Sequence, residues 1–197
     1  LDLFGFVSVE GDFGIESKQG EVVLAGVQDD PQTTDVNEAT APVAVDMLLI
    51  GGSNLSAFVG AGDKGLNLSG IGLGLALITE QVDATAPGAT PARSWTSAQA
   101  SIESASFDGV ENLTIEVNSL ALEINREAAD GSVVDYATGK TELSVLTGPQ
   151  SELTLGIDGA HGELTRLTGN LKLDLFGFVS VEGDFGIESK QGEVVLA

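Results

Sequence analysis

Carboxylates are the side chains with which this chain could do chemistry. It contains 30 Asp and Glu residues against 8 Lys and Arg, with one His and no Cys. Hard divalent cations such as Ca²⁺ bind clusters of carboxylate and carbonyl oxygens. The candidate ligands are acids in predicted loops and turns, namely Asp29, Asp30, Asp35, Asp108 and Asp158. Calcium is therefore the one cofactor that the composition would suit.

A competing interpretation is that these acids are solvated and bind nothing. The chain has neither an Asp-x-Asp-x-Asp-Gly loop nor a glycine–aspartate nonapeptide array, which are the patterns that specify calcium sites in sequence. Asp108 and Asp158 occupy similar turns, Phe-Asp-Gly and Ile-Asp-Gly, and the third such turn has Val59 in place of the aspartate. That difference favours a role for Asp108 and Asp158 in the turns themselves.

Catalysis has little support from the residue types. Paired carboxylates could serve an acidic-site glycosidase, but 30 acids spread along the chain make some pairs inevitable. His161 is the only histidine, so neither a His-dependent triad nor a zinc site with several imidazoles can be assembled. No glycine-rich loop ends in Gly-Lys-Ser/Thr. We therefore predict a protein that is not an enzyme.

The charge and hydropathy of the chain restrict its partners. A formal net charge of −22 opposes binding to nucleic acid. Hydrophobic residues make up 42% of the chain, which is enough for a folded core. The most apolar run, residues 71–78, is far shorter than the roughly 20 residues of a membrane-spanning helix. We expect no nucleic-acid partner and no membrane insertion of this segment.

The elements that would position these residues are long strands. Apolar residues alternate with polar ones from Leu1 to Ile15, which predicts one strand of about 50 Å unless a glycine bends it. Residues 17–20, Ser-Lys-Gln-Gly, are then expected to form a turn into a second strand at residues 21–25. No stretch has convincing helical periodicity. Residues 95–104 are the best candidate for a short helix, and their pattern is ambiguous.

Several alternating runs change parity partway along. The apolar positions switch from odd to even across Asn118-Ser119, and a similar switch occurs at Ser69-Gly70. An extra residue in one strand of a pair has this effect, so both places are predicted β-bulges. A weaker internal repeat is also present, because residues 58–60, 107–109 and 157–159 each precede an alternating strand.

The first 25 residues recur letter for letter at residues 173–197. Residue 173 repeats residue 1, so the period is 172 residues. We predict that residues 1–172 are one full repeat of a tandem array and that residues 173–197 begin the next one. The expected partners are neighbouring copies of the same repeat, within one chain or between chains.

Four phenylalanines in the duplicated segment are predicted to lie at a junction between repeats. Phe4 and Phe6, with their copies Phe176 and Phe178, flank glycine on the face that otherwise carries Asp and Glu. Apolar residues on both faces of a strand indicate that it is covered twice. A core on both sides of the strand within a single repeat is the alternative explanation.

The chain resembles the repeat region of very large bacterial surface or secreted proteins, a family often recognised by an N-terminal LEPR-XLL motif. Six segments carry the resemblance: residues 54–60, 72–77, 93–95, 105–110, 129–135 and 173–178. The resemblance implies export, tandem repetition and a structural or adhesive role. It implies no catalytic residues, and many members of the family also carry calcium-binding or adhesin-like regions.

We expect an all-β module of long antiparallel hairpins with bulges, arranged as an elongated sandwich or as a rolled or stacked sheet. Its expected function is that of a non-catalytic structural spacer in a giant extracellular bacterial surface or fibre-forming protein, assembling end to end through β-sheet continuation. An adhesive module that binds a glycan or another cell-surface ligand, with or without calcium, is the alternative. The expected location is extracellular or on the bacterial cell surface.

Overall fold

The structure is a computed structural model, and it describes residues 2–3, 6–26, 41–83, 85 and 90–190. These ranges contain no α-helix, which confirms the all-β prediction. One 3₁₀ turn occurs at Gly159–His161. The strands are β1 Asp2–Leu3, β2 Val7–Val22, β3 Leu24–Ala25, β4 Val43–Ala61, β5 Lys64–Glu80, β6 Ser94–Asp108, β7 Leu113–Arg126, β8 Val133–Val134, β9 Ser144–Gly148, β10 Ser151–Thr154, β11 Leu164–Leu175 and β12 Val179–Lys190.

Eight of these strands form one antiparallel sheet in the order β1-β2-β4-β5-β6-β7-β11-β12. The strands of this sheet lie side by side in the same order as they occur along the chain, so the sheet is a meander. Tight turns, including residues 62–63, 109–112 and 176–178, join the strands at one end, which we call the tip. At the opposite end, the base, β2 is followed by β4, β5 by β6, and β7 by β11 through residues 127–163.

The longest connection folds back over the sheet and makes the core. Residues 127–163 include the small ladder β9–β10 and the strand β8, which pairs with β3. They cover the base half of one face, which we call the covered face, and we call the other side of the sheet the open face. Trp95 is buried there and donates its indole N–H to the carbonyl of Ser132 at 3.0 Å. Other buried members of this cluster are Val45, Met47, Leu49, Ile78, Val134, Tyr136, Val145, Leu155 and Leu164.

A row of glycines lets strand β9 lie directly on the sheet. Gly14, Gly51 and Gly74 are register partners on β2, β4 and β5. A Cβ atom added to Gly14 or to Gly51 would overlap the carbonyl oxygen of Leu146 in β9. These two glycines, which we call the glycine seat, allow the backbone of β9 to approach closely because they lack side chains.

Bulges cross the middle of the sheet, and those at Ser119 and Gly70 lie where the sequence predicts them. Ser119 has a φ of 53° and Gly70 has a φ of 61°. The register between β7 and β11 shifts beside Ser119, and that between β4 and β5 shifts near Asn54, whose φ is 51°. Each bulge reverses the parity of its strand, so the apolar residues stay on one face from base to tip. Residues 95–104 belong to strand β6, and the helical alternative there is wrong.

The structure departs from the long-strand pattern at two places in the duplicated segment. The alternating pattern predicts one strand from Leu1 to Ile15 unless a glycine bends it, and the second copy has such a glycine, Gly177, the copy of Gly5. The second copy instead forms two strands, β11 and β12, joined by a turn at residues 176–178. Residues 17–20 were expected to turn, but they lie inside the continuous strand β2.

The weaker internal repeat corresponds to structure at two of its three places. Residues 58–60 end strand β4 just before the turn at residues 62–63, and residues 107–109 lead from β6 into the next tip turn. Residues 157–159 differ, because they lead into the 3₁₀ turn of the covering segment rather than into a turn at the tip. The third tip turn is formed by residues 176–178.

Candidate functional site: the two edges of the sheet

The duplicated segment occupies both edges of the sheet. Strand β2 belongs to the first copy and pairs with β4 over residues 7–22. Strand β12 is the second copy of residues 7–18, and it pairs with β11 over its whole length. Identical sequences therefore form the first and the last long strands of the meander, and each pairs with a different neighbour.

The tip hairpin forms in the same register in both copies. In the first copy, Asp2 is opposite Ser8 and Leu3 is opposite Val7. In the second copy the equivalent pairs are Asp174 with Ser180 and Leu175 with Val179. The turn between them is tight, because the N–H of Phe178 donates to the carbonyl of Leu175 at 2.9 Å.

The two copies use opposite sides of the same strand. β2 pairs along its whole length with β4, and its other side pairs only at Val7 and Ser8, with β1. β12 pairs along its whole length with β11, on the side that corresponds to β1. Among the described residues, no strand pairs with the other side of β12. This unpaired side of β12 corresponds to the side of β2 that pairs with β4.

The glycine seat shows the same difference between the copies. Gly186 is the copy of Gly14, and a Cβ added there would meet only Thr168 Cγ2, at an ordinary contact distance of 3.7 Å. A Cβ added at Gly14 would overlap the carbonyl of Leu146. The second copy thus carries the glycine that accommodates β9 in the first copy, and its position is open.

The predicted junction phenylalanines lie at the tip turn. Phe6, Phe176 and Phe178 are 58%, 54% and 91% exposed. The carbonyl of Phe6 accepts from the N–H of Gly60 at 2.9 Å, and the N–H of Phe176 donates to the carbonyl of Asn112 at 2.7 Å. They are turn residues and not members of a strand covered on two faces, so that premise is corrected. Phe4 lies outside the described residues.

The predicted calcium ligands do not come together in the described part of the chain. Asp108 lies at the tip end of β6 and accepts from Asn67 Nδ2 at 2.7 Å. Asp158 caps the 3₁₀ turn and accepts from the N–H of Ala160 at 2.8 Å. Asp29, Asp30 and Asp35 lie outside the described residues. Within the described ranges, no group of three or more His, Cys, Asp or Glu side chains is placed to hold a metal.

An ion-pair cluster that the sequence analysis missed joins the base of the sheet to the covering segment. Arg93 donates to both carboxylate oxygens of Glu80, at 2.7 and 2.8 Å, and to Asp130 at 3.1 Å. Its guanidinium also lies 5.2 Å from the ring centroid of Trp95, a cation–π distance. These three residues are 13 and 37 positions apart in the sequence, and such spacing does not predict that Arg93 contacts both acids.

The cluster perturbs the ionisation of its acids. The hydrogen bond from Arg93 holds the pKa of Glu80 below its ordinary value, although burial acts in the opposite direction. Burial alone would raise the pKa of Asp130, but hydrogen bonds from Ser132 and from Arg93 outweigh it and lower that pKa. Arg93 thus joins Glu80, at the end of β5, to Asp130 in the covering segment, and the cluster fastens these elements together.

Comparison with known proteins adds no relative to this picture. No family model, no curated protein and no solved structure matches the chain. The resemblance to giant bacterial surface proteins therefore stays a prediction. The described residues include no helix with the length and hydropathy needed to cross a bilayer.

Proposed function

We propose that the chain is one period of a non-catalytic structural repeat, in which consecutive periods share one continuous β-sheet. On this proposal residues 173–197 are the first part of the next period, and the long edge strand belongs to two neighbouring modules at once. The setting is an extracellular bacterial surface or fibre-forming protein, in line with the resemblance described above.

The observation that carries the proposal is the different pairing of the two identical strands. β2 pairs with β4, and β12 pairs with β11. A strand inside an antiparallel sheet has neighbours on both sides. Along most of its length each copy here has one of the two, because β1 pairs with β2 only at Val7 and Ser8. If the next period supplied its own β4 to β12, the sheet would continue through the boundary without a break in register.

The charge of the chain fits a soluble spacer. A net charge of −22 opposes edge-to-edge association of unrelated strands. Continuation of the sheet along one chain is less affected, because the covalent connection holds the next strand at a high effective concentration. Tandem repeats of this kind gain stability from each module and from each interface between neighbouring modules.

A glycine substitution tests the proposal when it is made in chains of different length. We expect Gly14→Ala to lower the melting temperature of the present chain, because the new methyl group overlaps the Leu146 carbonyl. Gly186→Ala should leave it nearly unchanged. In a chain extended to two complete periods, we expect Gly186→Ala to become as destabilising as Gly14→Ala, since a second β9 would then lie on Gly186.

The comparison has a clear negative result. If Gly186→Ala has no effect in the two-period chain while Gly14→Ala still destabilises it, the second copy is not built into a following module. Calorimetry of both chains would measure the effect, and the number of transitions would show whether the periods unfold together.

A further inference from the structure

The open face of the sheet is apolar across its whole width. One set of register partners crosses all seven long strands on this face: Phe13, Gly52, Leu73, Ala100, Leu122, Leu167 and Ile187. Partners across an antiparallel pair lie on the same face, so these residues form one continuous row. Phe13 is 56% exposed and Ile187 is 63% exposed, and the described residues place no second layer over them.

The apolar surface continues towards the tip beyond the bulges. Val7, Val59, Leu66 and Phe107 are successive register partners on β2, β4, β5 and β6. Ile115, Leu173 and Val181 continue the same side across β7, β11 and β12. The bulges thus keep apolar residues on the open face over both halves of the sheet.

The charged residues next to these apolar rows lie on the other side of the sheet, and the open face carries charge only towards the base, at Glu21, Asp46 and Arg126 among the described residues. The row next to the one above, on the covered face, ends in Glu123, Arg166 and Glu188. There Arg166 pairs with Glu123 at 2.9 Å and with Glu188 at 2.8 Å. Neither apolar row contains a charged side chain. Two open faces can therefore approach along these two rows without burying a charged side chain.

The size of the open face is that of a stable interface. Seven strands spaced by about 4.8 Å, each contributing about 12 residues at roughly 3.3 Å, make a surface of roughly 1,300 Å². A standard protein–protein interface buries about 800 Å² on each partner. Monomeric soluble proteins rarely expose an apolar patch larger than about 600 Å².

We propose that a second copy of this sheet covers the open face, so that two repeats pack face to face as the two layers of a β-sandwich. Stacked sheets lie about 10 Å apart, with side chains of the two inner faces interdigitating. This step rests on the proposed function: in a tandem array, residues 173–197, which repeat residues 1–25, would begin a second copy of this surface. A lipid surface is a poorer match, because the only Trp and Tyr, Trp95 and Tyr136, are buried on the covered face.

Two substitutions on neighbouring positions of the central strand β6 test the proposal. Ala100 lies in the middle of the open-face row, and Ser101 points to the opposite, exposed side. We expect the unmodified chain to sediment as a closed dimer at micromolar concentration, since each copy has one open face. Ala100→Asp should weaken self-association by at least about 100-fold, because it buries unpaired carboxylates. Ser101→Asp should leave it unchanged.

Cysteine crosslinking gives a second measurement that does not depend on the stability of a charged variant. The chain has no cysteine, so Ala100→Cys and Ser101→Cys each carry a single thiol. A short bis-maleimide should link two copies through residue 100 and not through residue 101. Circular dichroism would establish that each variant has kept its β-structure.

Three results would overturn the proposal. The first is a chain that is monomeric throughout the micromolar range. The second is a dimer, or an open-ended polymer, that Ala100→Asp and Ser101→Asp affect equally, because that pattern indicates pairing through the sheet edges. The third is flotation of the monomer with phosphatidylcholine vesicles, blocked by Ala100→Asp alone, because lipid would then be the partner of the open face.

Discussion

At the scale of single residues, glycine determines how closely the covering segment approaches the sheet. The chain contains 26 glycines, and composition alone indicates many turns, bulges and close approaches. It does not indicate which glycine has which role. Glycine is required at positions 14 and 51 because the carbonyl oxygen of Leu146 occupies the space that a side chain would fill. Leu146 is far away in the sequence, so the residues around each glycine do not predict this contact.

Gly51→Ala should therefore destabilise the fold by about 2 kcal/mol, because overpacking against a fixed backbone forces strands apart. Gly156→Ala is the matched control, since a Cβ there would meet nothing within 4 Å. Chemical denaturation of both variants would measure the difference. Equal stability of the two variants would show that β9 does not lie on the glycine seat.

At the scale of elements, the bulges were predictable and the tip turn was not. A bulge reverses the parity of a strand, and the sequence shows this as a change from odd to even apolar positions. The turn at residues 176–178 pairs Leu175 with Val179, so odd positions remain opposite odd positions. The alternating pattern passes through such a turn unchanged, which is why one long strand was expected in place of a hairpin.

The bulge at Ser119 leaves a measurable strain. Its φ of 53° lies in the left-handed region, where a side chain is unfavourable. Ser119→Gly should stabilise the protein by about 0.5 kcal/mol, because relief of this strain exceeds the entropy that glycine loses on folding. Ser106→Gly, within the regular part of β6, should instead destabilise it. Thermal melts that rank the two variants in the opposite order would contradict the assigned bulge.

The Arg93 cluster predicts how stability depends on pH. The pKa of Glu80 is lower in the folded state than its ordinary value of 4.5. The contribution of the Glu80 carboxylate is therefore complete above that value and is lost as the pH falls through the folded-state pKa. Glu80→Gln removes this titration, so the stability difference between the two proteins should shrink as the pH falls below about 4.5.

Denaturation curves of both proteins between neutral and acidic pH would measure that difference. Comparing the two is necessary because acid also neutralises the excess carboxylates and relieves their mutual repulsion in both proteins. A difference that stays constant through the acidic range would rule out the ion pair as its source.

At the scale of the whole molecule, the sequence predicts the fold class, the amphipathic strands and the recurrence of the edge segment. It does not predict the covering segment. Residues 127–163 contain only short alternating runs, and their position over the base half depends on Trp95, the glycine seat and the Arg93 cluster. These are long-range contacts between residues with no shared pattern. The sequence shows that the two edge segments are identical. Only the structure shows that β2 pairs with β4 whereas its copy β12 pairs with β11.

The meander order has a mechanical consequence. Each inner long strand of the main sheet is hydrogen-bonded to the long strands that precede and follow it in the chain, and the first and last long strands lie near opposite edges. A pulling force applied between those edges acts across the strands and opens their hydrogen bonds in succession, rather than loading a whole ladder in shear. The sheet should consequently extend at low force by releasing one strand after another, so a chain of such modules would behave as a compliant tether and absorb sudden tension.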